Sequence, residues 1–372
     1  MKWGFLAVLA ALVVAAPATA APPAVHARAW LVQSGTTGEV LAQHGDRARI
    51  PIASITKLMT VLVTLEHSKL DDVVTVEPSA SEVGESTINL RAGERITVRD
   101  LVEAALIQSA NDAANALAEY VGKGDTHAFV ELMNAKAREL GLSDTHFVRP
   151  DGLDAAGHVS SARDVTKLAQ ILMHDKFVRS VVRERTATIS GGRTLHTWND
   201  LLGQFPGLLG VKTGHTGAAG WCEVAAARGP GVTIYAAVLG SPTRSSRNAD
   251  LAELLRYGLS RYRLVPVIPE RPFASVETGY GKSRLELVPS RPLRLSLRVG
   301  VPLVERVVAP GVVRLPVHRG QQLGEVRVYA RGRLLGSRPL VAERDVSRPG
   351  LASRVGWYAG RAAHHIGSWL ST

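Results

Sequence analysis

The stretch PIASITKLMT, residues 51–60, places a hydroxyl and an amine inside an otherwise apolar run. Ser54 and Lys57 are three positions apart, and residues at that spacing lie one turn above each other on the same face of a helix. An isolated serine hydroxyl is a poor nucleophile and needs a base within hydrogen-bonding distance. A buried lysine whose charged form is disfavoured can be that base, so the stretch indicates a Ser-Lys pair for nucleophilic catalysis.

A Ser-x-x-Lys match occurs by chance about 0.6 times in a chain of this composition, so the pair needs support from elsewhere. The triplet Ser109-Ala110-Asn111 spans the break between two predicted helices, 96–108 with Thr97 as N-cap and 111–122. In an extended break between helices, Ser109 and Asn111 would point the same way. The alternative is that Asn111 only caps the second helix.

The triplet Lys212-Thr213-Gly214 lies on a predicted strand. Lys212 supplies positive charge, Thr213 supplies a hydroxyl, and Gly214 supplies backbone that a substrate can approach closely. By chance this triplet occurs in roughly one chain of this size in twenty. It is therefore the more specific of the two supporting signals.

The remaining pattern places strands at both ends of the first 263 residues and helices between them. Residues 29–45 read as two strands joined by a glycine turn. Further predicted elements are a helix over 161–174 capped by Ser161, strands from 208 to 240 with a Gly-Pro-Gly turn at 229–231, and a helix over 247–262. The arrangement predicts an α/β fold with an antiparallel sheet and a helical cluster.

At 372 residues the chain is long enough for two folded units plus termini. We expect a signal peptide over 1–20, a catalytic domain over 21–263, a small all-β domain over 264–348, where the pattern alternates with period two, and a tail over 349–372. Lys2, an apolar run and the small residues before position 21 are typical of a cleaved secretory signal. A retained membrane anchor is the alternative, although the apolar run is short for a bilayer span.

The formal charge of +11 is concentrated in the last third of the chain. Residues 1–265 contain 27 Lys and Arg against 26 Asp and Glu, whereas residues 266–372 contain 17 against 7. Nucleic acid is not an expected partner, because an exported chain rarely meets it. A solubilising surface is the alternative to a specific anionic partner.

The tail carries apolar residues at intervals of three or four, with Arg354 and Arg361 on another face and tryptophans at 357 and 369. This pattern predicts an amphipathic helix that lies in an anionic membrane surface. The alternative is a helix packed on the all-β domain. From the signal peptide and the amphipathic tail together, we expect an exported protein attached peripherally to the cytoplasmic membrane.

Cys222, the only cysteine, is expected to be a buried, inert thiol.

In this order, Ser-x-x-Lys, Ser-x-Asn and Lys-Thr-Gly form the motif set of penicillin-binding proteins and class A β-lactamases. The chain resembles low-molecular-mass penicillin-binding proteins, the D-alanyl-D-alanine carboxypeptidases, over about residues 27–345. The shared blocks are IASITKLMT, LIQSANDAANALAE, GVKTGHTGAAGWCEVAAA and RNADLAELLRYG. The resemblance implies a β-lactamase/transpeptidase-like α/β fold followed by the small all-β domain. One departure is Arg149 in FVRPDGL, where the family usually has asparagine.

The resemblance implies that Ser54 attacks the carbonyl between the last two D-alanines of a peptidoglycan stem peptide. Lys57 would accept the proton of Ser54, and Asn111 would hold both Lys57 and the substrate amide. Ser109 would relay protons together with Lys212. The enzyme would then be a serine-type carboxypeptidase that works through an acyl-enzyme and is inhibited by β-lactam antibiotics.

The resemblance also implies how substrate is bound. Thr213 and Arg247 would hold the terminal carboxylate, and the backbone N–H groups of Ser54 and His215 would stabilise the oxyanion. The histidines show no metal-ligand spacing, so we expect no metal and no other cofactor.

Three alternatives remain at this stage. A β-lactamase needs a glutamate-positioned water, but residues 112–207 contain no Glu-x-x-Leu-Asn segment. A D,D-endopeptidase of the same family would cut cross-links, although such relatives commonly lack the C-terminal module. A non-catalytic wall-binding protein with the same fold would be expected to have lost some of the motif residues.

Overall fold

The computed structural model describes residues 5–12, 21–280, 283–351, 354–356 and 359. The chain divides into two units, one comprising residues 20–261 and the other comprising residues 1–19 together with 262–372. The first described strand, β1 (Phe5–Leu12), belongs to the second unit.

The strands of the first unit are β2 (Ala29–Ser34), β3 (Val40–His44), β4 (Val73–Thr75), β5 (Arg95–Thr97), β6 (Thr186–Thr188), β7 (Thr194–His196), β8 (Leu208–Thr216), β9 (Gly220–Gly229) and β10 (Val232–Ser241). Five of them form an antiparallel sheet in the order β3-β2-β10-β9-β8. β4 pairs with β5, and β6 with β7, as separate two-stranded ladders. The predicted sheet formed by strands from both ends of this region is confirmed.

Most of the helices of the first unit lie between β3 and β8. They are α1 (Lys57–His67), α2 (Pro78–Ser81), α3 (Val98–Ile107), α4 (Asn111–Val121), α5 (Thr126–Glu139), α6 (Ala162–Leu172) and α7 (Lys176–Val181), with α8 (Arg244–Ser260) after β10. The predicted N-caps Thr97 and Ser161 are confirmed, because each side chain accepts a hydrogen bond from the third residue after it. α8 begins three residues before the predicted start, since Thr243 caps it. Within the described ranges, no helix is long and apolar enough to cross a membrane.

The opening stretch of the sequence forms a short 3₁₀ turn over Ala53–Thr56 that leads directly into α1. Its apolar side chains are fully buried in the core, namely Ile52, Ile55, Leu58 and Met59. This packing fixes the turn against the sheet and helices, while Ser54 is half-buried. The apolar neighbours therefore anchor the hydroxyl and the amine.

The second unit is an all-β fold with its own apolar core. Its strands after β1 are β11 (Tyr262–Ile268), β12 (Ala274–Thr278), β13 (Arg284–Pro289), β14 (Leu293–Arg298), β15 (Leu303–Pro310), β16 (Val312–Val313), β17 (Gln322–Ala330) and β18 (Arg333–Ala342). Seven strands form a sheet in the order β1-β15-β17-β18-β13-β12-β16, and β11 pairs with β14.

The two predicted terminal segments are described only in part. β1, within the predicted signal peptide, pairs antiparallel with β15 at the edge of the sheet, and residues 1–4 and 13–20 lie outside the description. In the predicted tail helix, residues 351, 354–356 and 359 are helical. Residues 352–353, 357–358 and 360–372 lie outside the described residues.

Candidate active site

Lys57 lies within hydrogen-bonding distance of three acceptors. Its Nζ is 2.8 Å from Ser54 Oγ, 2.7 Å from Asn111 Oδ1 and 2.7 Å from the backbone oxygen of Asp151. The side chain is fully buried. Burial lowers the pKa of Lys57 to about 7, against the charge of the Asp151 carboxylate, which acts to raise it. At neutral pH a substantial fraction of Lys57 is therefore a free amine beside the serine hydroxyl.

A second hydroxyl comes from the segment just before α4, and a second amine comes from β8. Lys212 Nζ lies 2.8 Å from Ser109 Oγ and 2.8 Å from the backbone oxygen of Thr213. Burial, together with the charge of Lys57, lowers the pKa of Lys212 well below its usual value. One hydroxyl-amine pair thus comes from the 3₁₀ turn over Ala53–Thr56 and the first residue of α1, here called the nucleophile turn, and a second pair faces it.

The expected extended break between the helices is wrong in detail. Ser109 has a φ of 65°, which is left-handed backbone, and Asn111 is the first residue of α4. Ala110 occupies the N-cap position, so Asn111 does not cap the helix. Its amide is free to reach across the cleft, with Oδ1 on Lys57 and Nδ2 donating to the backbone oxygen of Gly84 at 3.0 Å.

Strand β8 approaches the nucleophile turn so closely that only glycine fits at one position. A Cβ added to Gly214 would lie 2.9 Å from Ser54 N and 3.0 Å from the backbone oxygen of Ile52. The next residue, His215, stacks its ring on Trp221 with the ring centroids 4.0 Å apart. The backbone of this strand is therefore next to the serine, while the imidazole of His215 is directed to an aromatic neighbour.

These residues surround one cleft of about 240 Å³. The lining residues are Ser54, Glu85, Ser86, Ser109, Asn111, Trp198, Thr213, Gly214, His215, Trp221 and Arg247. Lys57 and Lys212 lie just beneath this surface, each in contact with a lining hydroxyl. The structure therefore brings together all the site residues that the sequence suggested. Glu85, Trp198 and Trp221 are wall residues that no motif indicated.

Arg247 reaches the cleft from α8 but is already paired with carboxylates. Its side chain is 1% exposed, and its Nε lies 3.1 Å from Glu223 Oε2. Its Nη2 lies 3.3 Å from Asp200 Oδ2, and the guanidinium lies 5.7 Å from the ring centroid of Trp221. Sequence reasoning missed both acidic partners. The signal for Glu223 was a single charge within the apolar run of residues 221–227.

The unusual Arg149 forms a two-point ion pair with Asp151. Its Nε and Nη2 lie 3.0 and 2.9 Å from the two carboxylate oxygens, and Asn115 Nδ2 donates to the same group at 2.8 Å. Burial acts to raise the pKa of Asp151, but the hydrogen bonds from Arg149 and Asn115 hold it below its usual value. Arg149 therefore stabilises the residue whose backbone oxygen contacts Lys57.

The geometry suits acyl transfer. A hydroxyl beside a partly neutral amine can attack a carbonyl, and a second hydroxyl-amine pair can deliver a proton to a leaving group. Cys222, on β9, is fully buried, and burial raises the pKa of its thiol to about 11. The thiol is consequently a poor second nucleophile.

Comparison with known proteins gives the same picture over most of the chain. The sequence model of the family described as D-alanyl-D-alanine carboxypeptidase matches residues 16–243. D-alanyl-D-alanine carboxypeptidase DacF of Bacillus subtilis is 32% identical over 84% of this chain and 84% of its own length. D-alanyl-D-alanine carboxypeptidase DacC of Escherichia coli is 32% identical over 99% of this chain and 96% of its own.

A solved structure agrees with this assignment. Penicillin binding protein 5 from Haemophilus influenzae superimposes with a TM-score of 0.64 at 26% identity, covering 88% of this chain and 100% of its own. The family model covers more than half of the chain, and the two relatives cover 84% and 99% of it. The chain belongs to the D-alanyl-D-alanine carboxypeptidase family.

Proposed function

We propose that this protein is a serine-type D-alanyl-D-alanine carboxypeptidase that removes the terminal D-alanine from peptidoglycan pentapeptide stems. The observation that carries the proposal is the 2.8 Å contact between Lys57 Nζ and Ser54 Oγ in the cleft. Family membership supports both the reaction and the substrate class.

In the acylation step, neutral Lys57 accepts the proton of Ser54 while Oγ attacks the carbonyl of the penultimate D-alanine. The backbone N–H groups of Ser54 and His215 stabilise the negative oxygen of the tetrahedral intermediate. Ser109, in contact with Lys212, passes a proton to the nitrogen of the departing D-alanine. The C–N bond then breaks and leaves an acyl-enzyme ester on Ser54.

Before the second step, the proton held by Lys57 passes through solvent to restore the hydroxyl of Ser109, so Lys57 is again a free amine. Lys57 then accepts a proton from the water that attacks the ester and returns it to Ser54 Oγ as the ester bond breaks. Thr213 and Arg247 select the free carboxylate at the end of the substrate, and Asn111 binds the amide before the scissile bond. Recognition of that carboxylate favours a carboxypeptidase, because the single residue that is released carries it.

The direct test uses a soluble pentapeptide that ends in two D-alanines, with the products identified by mass spectrometry. We expect release of a single D-alanine by the full chain and none by Ser54→Ala. Ser260→Ala, at the exposed end of α8, is the matched control and should retain activity. Cleavage of a cross-linked dimer in preference to the pentapeptide would instead support the endopeptidase alternative.

Penicillin should acylate the same serine, because its reactive amide resembles the scissile dipeptide. Penicillin binding protein 5 shares the fold of this chain, which supports the expectation. The label should persist on the full chain and be absent from Ser54→Ala. Rapid loss of the label with release of hydrolysed antibiotic would favour the β-lactamase alternative.

We also propose that the protein is exported and attached to the membrane surface by its tail. Residues 1–20 have the layout of a secretory signal, so the mature chain would begin near Ala21 and would lack β1. The basic C-terminal third and the amphipathic pattern of 349–372 support contact with anionic lipid. Removal of residues 350–372 should release the protein from the membrane fraction, and continued membrane attachment would contradict the proposal.

A further inference from the structure

Glu223 is a buried carboxylate that the proposed reaction does not use. It is 0% exposed, and neither of its oxygens has a hydrogen-bond partner within the part of the chain that the structure describes. It does lie close to Arg247, with Oε2 3.1 Å from Nε in an ion pair. A buried charge is retained only where a partner compensates it, so this pair links Glu223 to the cleft.

The register of the sheet puts this pair behind the substrate site. Glu223 on β9 is directly opposite Thr213 on β8, and residues opposite each other in an antiparallel ladder project from the same face. Trp221, two residues earlier on β9, projects from that face as well and lines the cleft with Thr213. Glu223 therefore lies behind the side chains that are proposed to hold the terminal carboxylate.

The other acidic neighbour of Arg247 is engaged elsewhere. Asp200 pairs with Arg244, whose Nε lies 2.7 Å from Oδ2, and accepts from Asn248 Nδ2 at 2.8 Å. Its distance to Arg247 Nη2 is longer, at 3.3 Å. Glu223 is consequently the carboxylate nearest to Arg247, whose Nε and Nη2 also donate to Asn248 Oδ1 at 3.0 and 2.6 Å.

The charged groups that surround Glu223 come from three parts of the unit. Arg247 and Arg244 face it from α8, Lys212 from β8, and Asp200 from the segment before β8. Burial raises the pKa of Glu223 to about 7, while Arg247 opposes that rise and Asp200 adds to it. Glu223 therefore changes charge within the pH range in which the enzyme would work.

We propose that Glu223 is a positioning residue for the terminal-carboxylate subsite, and that its protonation state sets how much of the positive charge of Arg247 is available to the substrate. Ionised Glu223 competes with the substrate carboxylate for the guanidinium. Protonated Glu223 leaves that charge to the substrate. The inference rests on the proposed function, in which Arg247 receives the terminal carboxylate of the stem peptide.

The sign of the pH dependence follows from linkage. A bound carboxylate adds negative charge near Glu223, so it raises the pKa of Glu223 and binding favours the protonated form. Substrate binding should be tightest below pH 7 and should weaken as Glu223 ionises above it. If the bound substrate raises the pKa of Glu223 by one unit, KM rises about tenfold across this range.

The test is the pH dependence of KM and kcat between pH 6 and 9 for the full chain and for Glu223→Gln. In the wild type we expect KM to rise about tenfold across this range. In Glu223→Gln, KM should stay near the wild-type value at pH 6, and kcat at each pH should lie within about threefold of the wild-type kcat at the same pH. Glu253→Gln, on the exposed side of α8, should keep the wild-type rise. A KM that is flat in the wild type, or that still rises in Glu223→Gln, would overturn the inference.

A second comparison needs no variant, so it can still overturn the inference if Glu223→Gln fails to fold. The same peptide with an amidated C-terminus has no charge to share with Glu223, so its KM should not change between pH 6 and 9. An equal rise for both peptides would overturn the inference. Absence of D-alanine release at every pH is a different outcome, because it contradicts the proposed function itself.

Discussion

At the scale of single residues, the reaction depends on an amine that is uncharged near neutral pH. The pKa of Lys57 is about 7 because the side chain is fully buried. A general base must be unprotonated to accept the proton of Ser54, so penicillin acylation should speed up as the pH rises from 6 to 8, with its midpoint near 7. Stopped-flow acylation rates measure this, with the free energy of unfolding followed in parallel. A rate that does not vary between pH 5.5 and 8.5 would contradict the role of Lys57.

The charge of Asp151 offers an independent control over the same base. Asp151→Asn keeps the backbone oxygen that contacts Lys57 but removes the carboxylate that acts to raise its pKa. The midpoint of the acylation profile should therefore move to lower pH, by on the order of one unit. Asp71→Asn, whose carboxylate is 91% exposed, should leave it unchanged. A shift to higher pH in Asp151→Asn would show that the electrostatic account is wrong.

Single residues also mark the limit of what the sequence could predict. Ser54 and Lys57 could be found because both belong to one short motif within one turn of helix. Glu223 and Asp151 could not, because their importance depends on strand register and on contacts with residues distant in sequence. The left-handed backbone of Ser109 is likewise imposed by packing rather than by local preference, since serine rarely adopts it.

At the scale of elements, the site requires close contact between β8 and the nucleophile turn. Gly214→Ala would place a methyl group 2.9 Å from Ser54 N and must push the strand and the turn apart. We expect a loss of about 1–3 kcal/mol in the free energy of unfolding and at least a roughly tenfold loss in kcat/KM. Chemical denaturation and steady-state kinetics measure the two effects.

Gly217→Ala is the matched control for this prediction, because its added Cβ has no atom within 4 Å. It should behave as wild type in both measurements. Normal kcat/KM in Gly214→Ala would mean that the approach of β8 to Ser54 is not needed for catalysis.

Element types and helix starts were largely predictable from the sequence. The side chains of Thr97 and Ser161 accept hydrogen bonds from free N–H groups at the starts of helices. This is a local effect that can be predicted from the order of the residues. The start of α8 was missed because the capping box of Thr243 and Ser246 lies outside the apolar pattern of the helix. Elements defined by local chemistry were therefore predicted better than the contacts between them.

At the scale of the whole molecule, every residue of the proposed site belongs to the first unit. That unit has its own apolar core, as does the all-β unit. A chain ending at Arg261 should therefore fold and release D-alanine from a soluble pentapeptide with kcat/KM within about threefold of the full chain. Kinetics on both chains check this, and loss of activity in a folded shorter chain would mean that the all-β unit contributes to the reaction.

The division of the chain could be read from its composition, because residues beyond 264 are rich in Pro, Val and Arg and alternate with period two. The strand order within the second unit could not be predicted. Its sheet pairs β13 with β18 and β12 with β16, which are distant in sequence. Such pairing depends on how whole strands cover one core, and a local pattern does not encode it.

The central claim is that Ser54 is the nucleophile, and the most direct measurement is to locate the penicillin adduct on the full chain by proteolysis and mass spectrometry. The account predicts one adduct per molecule, on the peptide that contains Ser54 and on that side chain. An adduct on any other residue, with Ser54 unmodified, would contradict it.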